Sequence, residues 1–339
     1  MSFHRPTIID VASLSGVSKA TVSNVVRGKG SVADATRTRV LSAIETLGYR
    51  PNASARSLVR QRTDVLGLLT GNLGNAFEAE LLERIEQVAS EHKFTTLVCT
   101  TGRNPEDEAT RVEALLEQRV AGIAMLQFSG DRRLMAQLVT ERVPVVMVSC
   151  WDDYADCVAV DDAEGLELAV GHLAELGHRR IAYLTDERVD SITLRIRLEA
   201  FQRALLRHGA EFHPDWVLPG DSGQDGDQPE SFVEFFERSG LPEAIVATND
   251  NIAITLIEQL ESRGWRVPDD VSVVGFDGSR VAALHRIGLT TIAQPVEQLA
   301  HISVELMLDR MAGEIPPQRR HVRLEPKLIV RTSTSAPAT

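Results

Sequence analysis

From Thr63 onward the sequence alternates short, almost continuously apolar runs with longer amphipathic stretches. The apolar runs are Val65–Gly71, Thr95–Thr100, Gly122–Phe128, Pro144–Ser149, Val158–Asp161, Ile181–Thr185, Ala244–Thr248, Val271–Phe276 and Thr290–Gln294. Between them, Glu78–His92, Asn104–Gln118, Glu164–Leu176, Leu194–His208 and Ile252–Arg263 carry apolar residues at helical spacing. A strand that is apolar on both faces has to be covered on both faces. The pattern therefore predicts an α/β architecture of parallel sheets flanked by helices. Two such sheets fit this length, with a cleft between them. Ligands in sheets of this kind bind beyond the carboxyl ends of the strands.

Charge divides the chain at the same place. The 339 residues carry a net charge of −12, unevenly spread. Residues 1–63 hold ten Lys and Arg against three acids, a net of +7, and the remainder holds 26 basic and 45 acidic residues, a net of −19. A basic head on an acidic body is the footprint of a DNA-binding module tethered to something else, and the acidic body leaves DNA contact to the head. No apolar run reaches the roughly 18 residues of a membrane span, and the N-terminus shows no export h-region. A cytoplasmic location with no membrane partner is expected. Cys99, Cys150 and Cys157 show no paired spacing, so buried thiols are expected rather than disulfides or a metal site.

Within the head, Thr7-Ile8-Ile9-Asp10 reads as a capping box with Asp at its fourth place. It opens a helix to about Leu14, with Val11, Ala12 and Leu14 as its buried stripe. Ser15-Gly16 turns the chain, and Ser18 caps a second helix from Lys19 to about Arg27. Val17, Val22 and Val25 face inward, while Lys19, Ala20, Thr21, Ser23 and Asn24 are small or polar and face outward. This is the make-up of a recognition helix entering a major groove, although these residues alone also suit an ordinary surface helix. Asp34 caps a third helix with Val40, Leu41, Ile44 and Leu47 as its apolar row, ended by Gly48.

Pro51 stops that helix, and Asn52 can cap a short Ala- and Ser-rich helix carrying Leu58. The segment reads as a linker or as a hinge that folds on DNA. In the second case Asn52, Ala55, Arg56 and Leu58 form its minor-groove face, with Leu58 as the apolar wedge.

The string DVA…GVSxxTVS…TRxRVLxAIExLGYRPNxxARSL over residues 7–60 resembles the DNA-binding head and hinge of the lactose/galactose repressor family of bacterial transcription regulators, and the likeness continues to about Thr332. It implies a helix-turn-helix head at 1–50, a hinge at 51–63 and an effector-binding core at 64–332 similar to periplasmic sugar-binding proteins. The N-subdomain would comprise about 64–162 and 295–324, and the C-subdomain about 163–293 and 325–332. The chain would cross between them near Asp161–Ala163, Gln294–Pro295 and Leu324–Pro326. The tail 333–339 lacks heptads and is expected to be disordered.

The cleft candidates sit where strands end. Asn249-Asp250 follows one strand, Asp277 a second and Gln294 a third, and Arg197 lies near the start of a helix. They offer carboxylate, amide and guanidinium groups to a small ligand. The resemblance aligns Arg197, Asn249 and Asp277 with the family's effector-contacting positions. From the residues alone, Asn249 equally caps a helix and Asp277 closes a turn. Phe77 offers a ring to stack on a sugar, but Ala76 and Glu78 depart from the family's Asn-Pro-Phe-Phe. Phe128, Ser149 and Trp151 end further strands and can line the cleft.

The chain thus reads as a ligand-responsive, non-enzymatic repressor, a homodimer on palindromic operator DNA with a sugar or sugar derivative as effector. Thr7, Ser18 and Thr21 are expected on phosphates, with Ser23 helping to position the helix. Lys19, Ala20 and Asn24 are expected on bases. The alternative is a small-molecule-binding protein or sugar-processing enzyme with a basic arm. Against it, Gly220-Asp221-Ser222-Gly223 lacks the antiparallel barrels of its protease lookalike, and Asp221–Asp227 has Gly223 where a calcium loop needs Asp or Asn. No cofactor motif is present.

Overall fold

The computed structural model describes residues 6–27, 32–49, 63–102, 104–126, 128–185, 192–219, 232–313 and 318–337. The chain divides into two compact units, Met1–Thr63 and Asp64–Thr339.

The first unit contains α1 (Ile8–Ser15), α2 (Lys19–Arg27) and α3 (Asp34–Leu47). Thr7 and Asp10 close the capping box, with the Thr7 N–H donating to Asp10 Oδ2 at 2.7 Å and the Asp10 N–H donating to Thr7 Oγ1 at 3.4 Å. Val11, Val22, Val25, Val40 and Ala43 form the core. Two expected core residues lie outside it. Leu14 is exposed because the buried stripe of α1 runs from Val11 to Ser15, one turn on. The Ser15 hydroxyl donates to the Val11 carbonyl at 2.6 Å, which removes the cost of burying it. Leu41 is exposed because α3 turns Val40 and Ala43 inward. The whole hinge face lies outside the described residues.

The second unit is built on two six-stranded sheets. The N-lobe sheet contains β1 (Val65–Thr70), β2 (Thr95–Thr100), β3 (Gly122–Met125), β4 (Val145–Val148), β5 (Asp156–Val160) and β11 (His321–Leu324), in the order β11-β5-β4-β3-β1-β2 and parallel throughout. The C-lobe sheet contains β6 (Ile181–Thr185), β7 (Val217–Pro219), β8 (Ala244–Ala247), β9 (Ser272–Asp277), β10 (Thr290–Ala293) and β12 (Lys327–Ile329), in the order β12-β10-β9-β8-β6-β7. Only its edge pair, β10 with β12, is antiparallel. The central strands are buried along their length, and helices cover both faces of each sheet.

Each sheet reverses its strand order once, between β1 and β3 in the N-lobe and between β6 and β8 in the C-lobe. Those are the topological switch points where crevices open. Three helices that follow strands are capped by Asn or Asp at this carboxyl end of the sheets. Asn75 caps α4 (Ala76–Glu91), Asp161 caps α7 (Asp162–Leu176) and Asn249 caps α10 (Asp250–Ser262). A cap of this kind contributes about 1 kcal/mol, and here it also sets helix N-termini around the cleft.

The chain passes between the sheets after β5 at Asp161, after β10 at Gln294–Pro295, and between β11 and β12 at Glu325–Pro326. After β10, α11 (Val296–Ala312) returns to the N-lobe core. Arg310 at its end and Arg320 before β11 both donate to Asp156, tying helix and edge strand to the start of β5.

Three differences from the expected pattern stand out. The first is β7, β11 and β12, edge strands of only three or four residues, too short for a search for apolar runs to register. The second is the tail. Disorder was expected from residue 333, but Ser333–Pro337 is seated on the C-lobe. Ser333 Oγ accepts from the Thr290 N–H at 2.8 Å and donates to the Val273 carbonyl at 2.6 Å. Thr334 Oγ1 meets His172 Nε2 at 3.0 Å, and the Ser335 carbonyl meets His178 Nε2 at 2.8 Å. The third is a helix-to-strand turn used repeatedly in the N-lobe. Lys93, Arg119 and Arg142 adopt positive φ of 67°, 53° and 56° in the turns before β2, β3 and β4. Each strained residue is a cation just past a helix C-terminus, where positive charge is favoured.

Candidate functional site

Each unit carries a candidate site. In the head, Gly16 ends α1 in the left-handed conformation at φ 65° and sends the chain into α2. Ser18 Oγ accepts from the Thr21 N–H at 3.1 Å and lies 2.9 Å from Thr21 Oγ1, so both hydroxyls are fixed at the helix start. Val22 and Val25 anchor α2 to the core, and Ser18, Lys19, Ala20 and Asn24 stay exposed in consequence. Thr21 and Ser23 are half-buried. Thr7 is exposed, its hydroxyl bonded to Asp10 Oδ2 at 2.7 Å. Asn52, Ala55, Arg56 and Leu58 fall outside the described residues.

In the core, polar side chains from both lobes converge where strands end. Arg197 stands on α8 (Ile192–Arg207) and is 7% exposed. Its Nε donates to Asp162 Oδ1 at 2.8 Å, its Nη1 donates to the Thr248 carbonyl at 2.8 Å, and its guanidinium lies 4.1 Å from the Phe276 ring centre. Burial opposes its charge, but Asp162, by its charge and its hydrogen bond, outweighs burial and holds it firmly protonated. Asp162 Oδ2 accepts from Trp151 Nε1 at 3.1 Å, so an N-lobe indole and a C-lobe guanidinium share one carboxylate.

A second chain of bonds runs beside the first. Asp277 ends β9 at φ 122°, a conformation rarely adopted by a residue with a side chain and the kind of strain found at ligand sites. Its Oδ1 accepts from Gln294 Nε2 at 2.8 Å, and Gln294 Oε1 accepts from Ser149 Oγ at 2.9 Å. Ser149 is itself at φ 60°. Burial raises the Asp277 carboxyl well above the usual range, and the negative charge of Asp250 adds to this against the opposing pull of Arg197. Asp250 holds the next turn, accepting from Thr291 Oγ1 at 2.5 Å and from the Ser279 N–H at 2.7 Å.

Arg197, Asp277, Gln294, Ser149 and Trp151 are thus joined in two cross-lobe networks. The other candidates sit differently. Asn249 is buried and caps α10 through a 2.9 Å bond from the Ile252 N–H. Phe77 is 5% exposed and packs in the N-lobe core among Leu81, Val146 and Leu299. Phe128 lies beyond the end of β3, half-buried against the second N-lobe cluster. Glu78, where the resemblance implies an aromatic, folds back on its own loop and accepts from Thr70 Oγ1 and from the Gly71 and Asn72 N–H groups at 3.2 Å each. Asp162 and Thr248 were not anticipated. For Asp162 a signal existed, since it directly follows the strand-end Asp161 at a lobe crossing.

Residues 7–52 match the lacI family of bacterial regulatory proteins, and residues 170–334 match a periplasmic binding protein-like domain. The chain is 32% identical over 97% of its length to the transcriptional repressor PurR of Aliivibrio fischeri, of which it covers 98%. The chain belongs to the lacI family of bacterial regulatory proteins. Within this family it is 31% identical to catabolite control protein A of Priestia megaterium, covering 91% of this chain and 93% of that one. Among solved structures it superposes on the lac repressor dimer bound to operator and the anti-inducer ONPF with a TM-score of 0.83 at 28% identity, over 98% of this chain and 100% of that one. It superposes on the transcriptional regulator CelR in complex with cellobiose with a TM-score of 0.70 at 31% identity, over 97% and 100%. This lacI-family chain is a ligand-responsive, DNA-binding transcription regulator and not an enzyme. Among the described residues no helix is long and apolar enough to cross a membrane.

Proposed function

We propose that this protein is a cytoplasmic repressor that acts as a homodimer. A sugar or sugar derivative held between the lobes by Arg197, Asp277 and Gln294 sets its operator affinity. The observation that supports this best is the pair of cross-lobe networks. Arg197 and Asp277, the C-lobe groups best suited to bond ligand hydroxyls, are each one residue away from an N-lobe side chain, through Asp162 to Trp151 and through Gln294 to Ser149. A ligand that competes for either relay changes the relative stability of the joined and parted lobes. It shifts DNA affinity by the difference it makes between those two states.

In the head, Lys19 faces guanine acceptors, Asn24 adenine and Ala20 a thymine methyl, while Thr7, Ser18, Thr21 and Ser23 steady the helix on the backbone. Asn52, Ala55, Arg56 and Leu58 supply the minor-groove contact, with Leu58 as the wedge. Asn249 shapes the cleft through its cap, and Phe128 and Trp151 form its apolar surroundings.

The test is a thermal-shift screen of cellobiose, ribose, sugar phosphates and nucleosides against the full chain, followed by operator binding with each hit. A true effector raises the melting temperature by mass action. Its effect disappears in Asp277→Asn, and it changes operator affinity. A panel that leaves both melting and DNA binding unmoved overturns the effector reading.

A further inference from the structure

Glu80 reaches across the mouth of the cleft. It lies on α4 of the N-lobe, and its Oε1 accepts from the backbone N–H of Arg280, in the C-lobe, at 2.9 Å. Its Oε2 lies 3.6 Å from Arg280 Nε, and Glu83, one turn on, lies 3.9 Å from Arg280 Nη1. The Arg280 side chain is 78% exposed and that of Glu80 only 18%. An ion pair that open to water contributes little. The carboxylate-to-N–H bond is the stronger, directional part of the contact.

That N–H is a particular one. Arg280 precedes the short 3-10 turn Val281–Ala283, so its N–H belongs to the donors that a helix start leaves without an internal partner. The opposite lobe satisfies it. Arg280 is also three residues from Asp277. The turn that carries Asp277 therefore has two carboxylate anchors, Asp250 on the Ser279 N–H from its own lobe and Glu80 on the Arg280 N–H from the other. Beside it, Asn251 Nδ2 on α10 donates to the Gly74 carbonyl of the β1–α4 loop at 3.1 Å, a second bridge between the two lobes.

We propose that Glu80 is a positioning residue for the ligand-binding turn. It holds Asp277–Arg280 in place while the lobes are together and lets go when they part, so that the seat of the ligand and the closure of the lobes move as one. This rests on the regulator reading given above. The bond, not the ion pair, carries the effect, so the variants rank in a definite order. Glu80→Ala removes the acceptor, Glu80→Gln keeps an acceptor oxygen, and Arg280→Ala keeps the donor.

The experiment uses the full chain and an operator that the wild-type protein selects from random DNA. In hydrogen exchange the Arg280 amide of Glu80→Ala exchanges about tenfold faster than in wild type, because the local opening it reports is no longer opposed. The Ser279 amide, held by Asp250, is unmoved. Operator affinity changes about threefold in the same variant, a coupling of ordinary size. Glu80→Gln restores both, and Arg280→Ala leaves both near wild type. The proposal is overturned if the Arg280 amide is no faster in Glu80→Ala, if it is freed with operator affinity unchanged, or if Arg280→Ala does as much as Glu80→Ala. Failure of the wild type to select any operator overturns the regulator reading instead, and the exchange result still decides the bridge.

Discussion

Two residues show how differently a sequence announces the placement of its side chains. The exposed position of Asn24 was legible, because Val22 and Val25 turn the opposite face of the helix into the core. We expect Asn24→Ala to lower operator affinity by about 1–3 kcal/mol and to relax discrimination at one base pair, read by binding to operators varied one position at a time. Asp277 was legible as a strand-end carboxylate but not as a strained and electrostatically loaded one. Its φ of 122° and its proximity to Asp250 depend on how β9 and α10 meet, which no local pattern encodes. With its acidity weakened by burial, Asp277 keeps its proton in the native state at pH values where the unfolded chain has lost it. Stability therefore falls as pH rises from the ordinary carboxylate range toward the raised value. Asp277→Asn removes that loss. Its melting temperature relative to wild type is expected to rise from near parity at about pH 4 to a clear gain at neutral pH, and a constant offset across that range would contradict the assignment. Phe77 teaches the reverse lesson. A ring beside a strand end looks like a stacking platform in sequence, yet one helical turn carries it into the core.

Among the elements, the buried strands and capped helices were readable because burial on both faces imposes a composition. The short edge strands were not, because they are defined by their neighbours and not by their own residues. The C-terminal segment is the sharpest case. Ser-Thr-Ser-Ala-Pro has the composition of a loose tail, but its hydroxyls satisfy backbone groups of β9 and β10 that would otherwise lie buried and unpaired. Removing residues 333–339 is expected to destabilise the core by about 2 kcal/mol, counting about 1 kcal/mol for each of the two buried bonds that Ser333 makes, measurable by urea unfolding. The clasp should also respond to acid. Burial holds His172 and His178 below the ordinary histidine value, so the unfolded chain takes up protons that the native pair refuses. Stability from this source is complete above the ordinary histidine range and is lost as pH falls through it. Acidification should expose the Ser333–Pro337 peptide to hydrogen exchange before the body of the C-lobe.

For the molecule as a whole, the division of charge is the property most visible in sequence and most consequential for binding. With ten basic residues in the first 63 and an acidic remainder, DNA affinity is expected to fall roughly a thousandfold between about 50 mM and about 200 mM salt. Residues 64–339 alone should show no salt-dependent DNA binding. A salt slope near zero for the full chain would contradict this. The order of the strands adds a consequence in time. β11, the last strand to join the N-lobe sheet, pairs with β5 from a position some 160 residues later in the chain, and β12 then closes the C-lobe sheet against β10. On the ribosome, therefore, the basic head emerges before either lobe, while neither lobe has its full set of strands until β11 and β12 have emerged. Synthesis order thereby holds the two-lobed switch unassembled until β12 has been made.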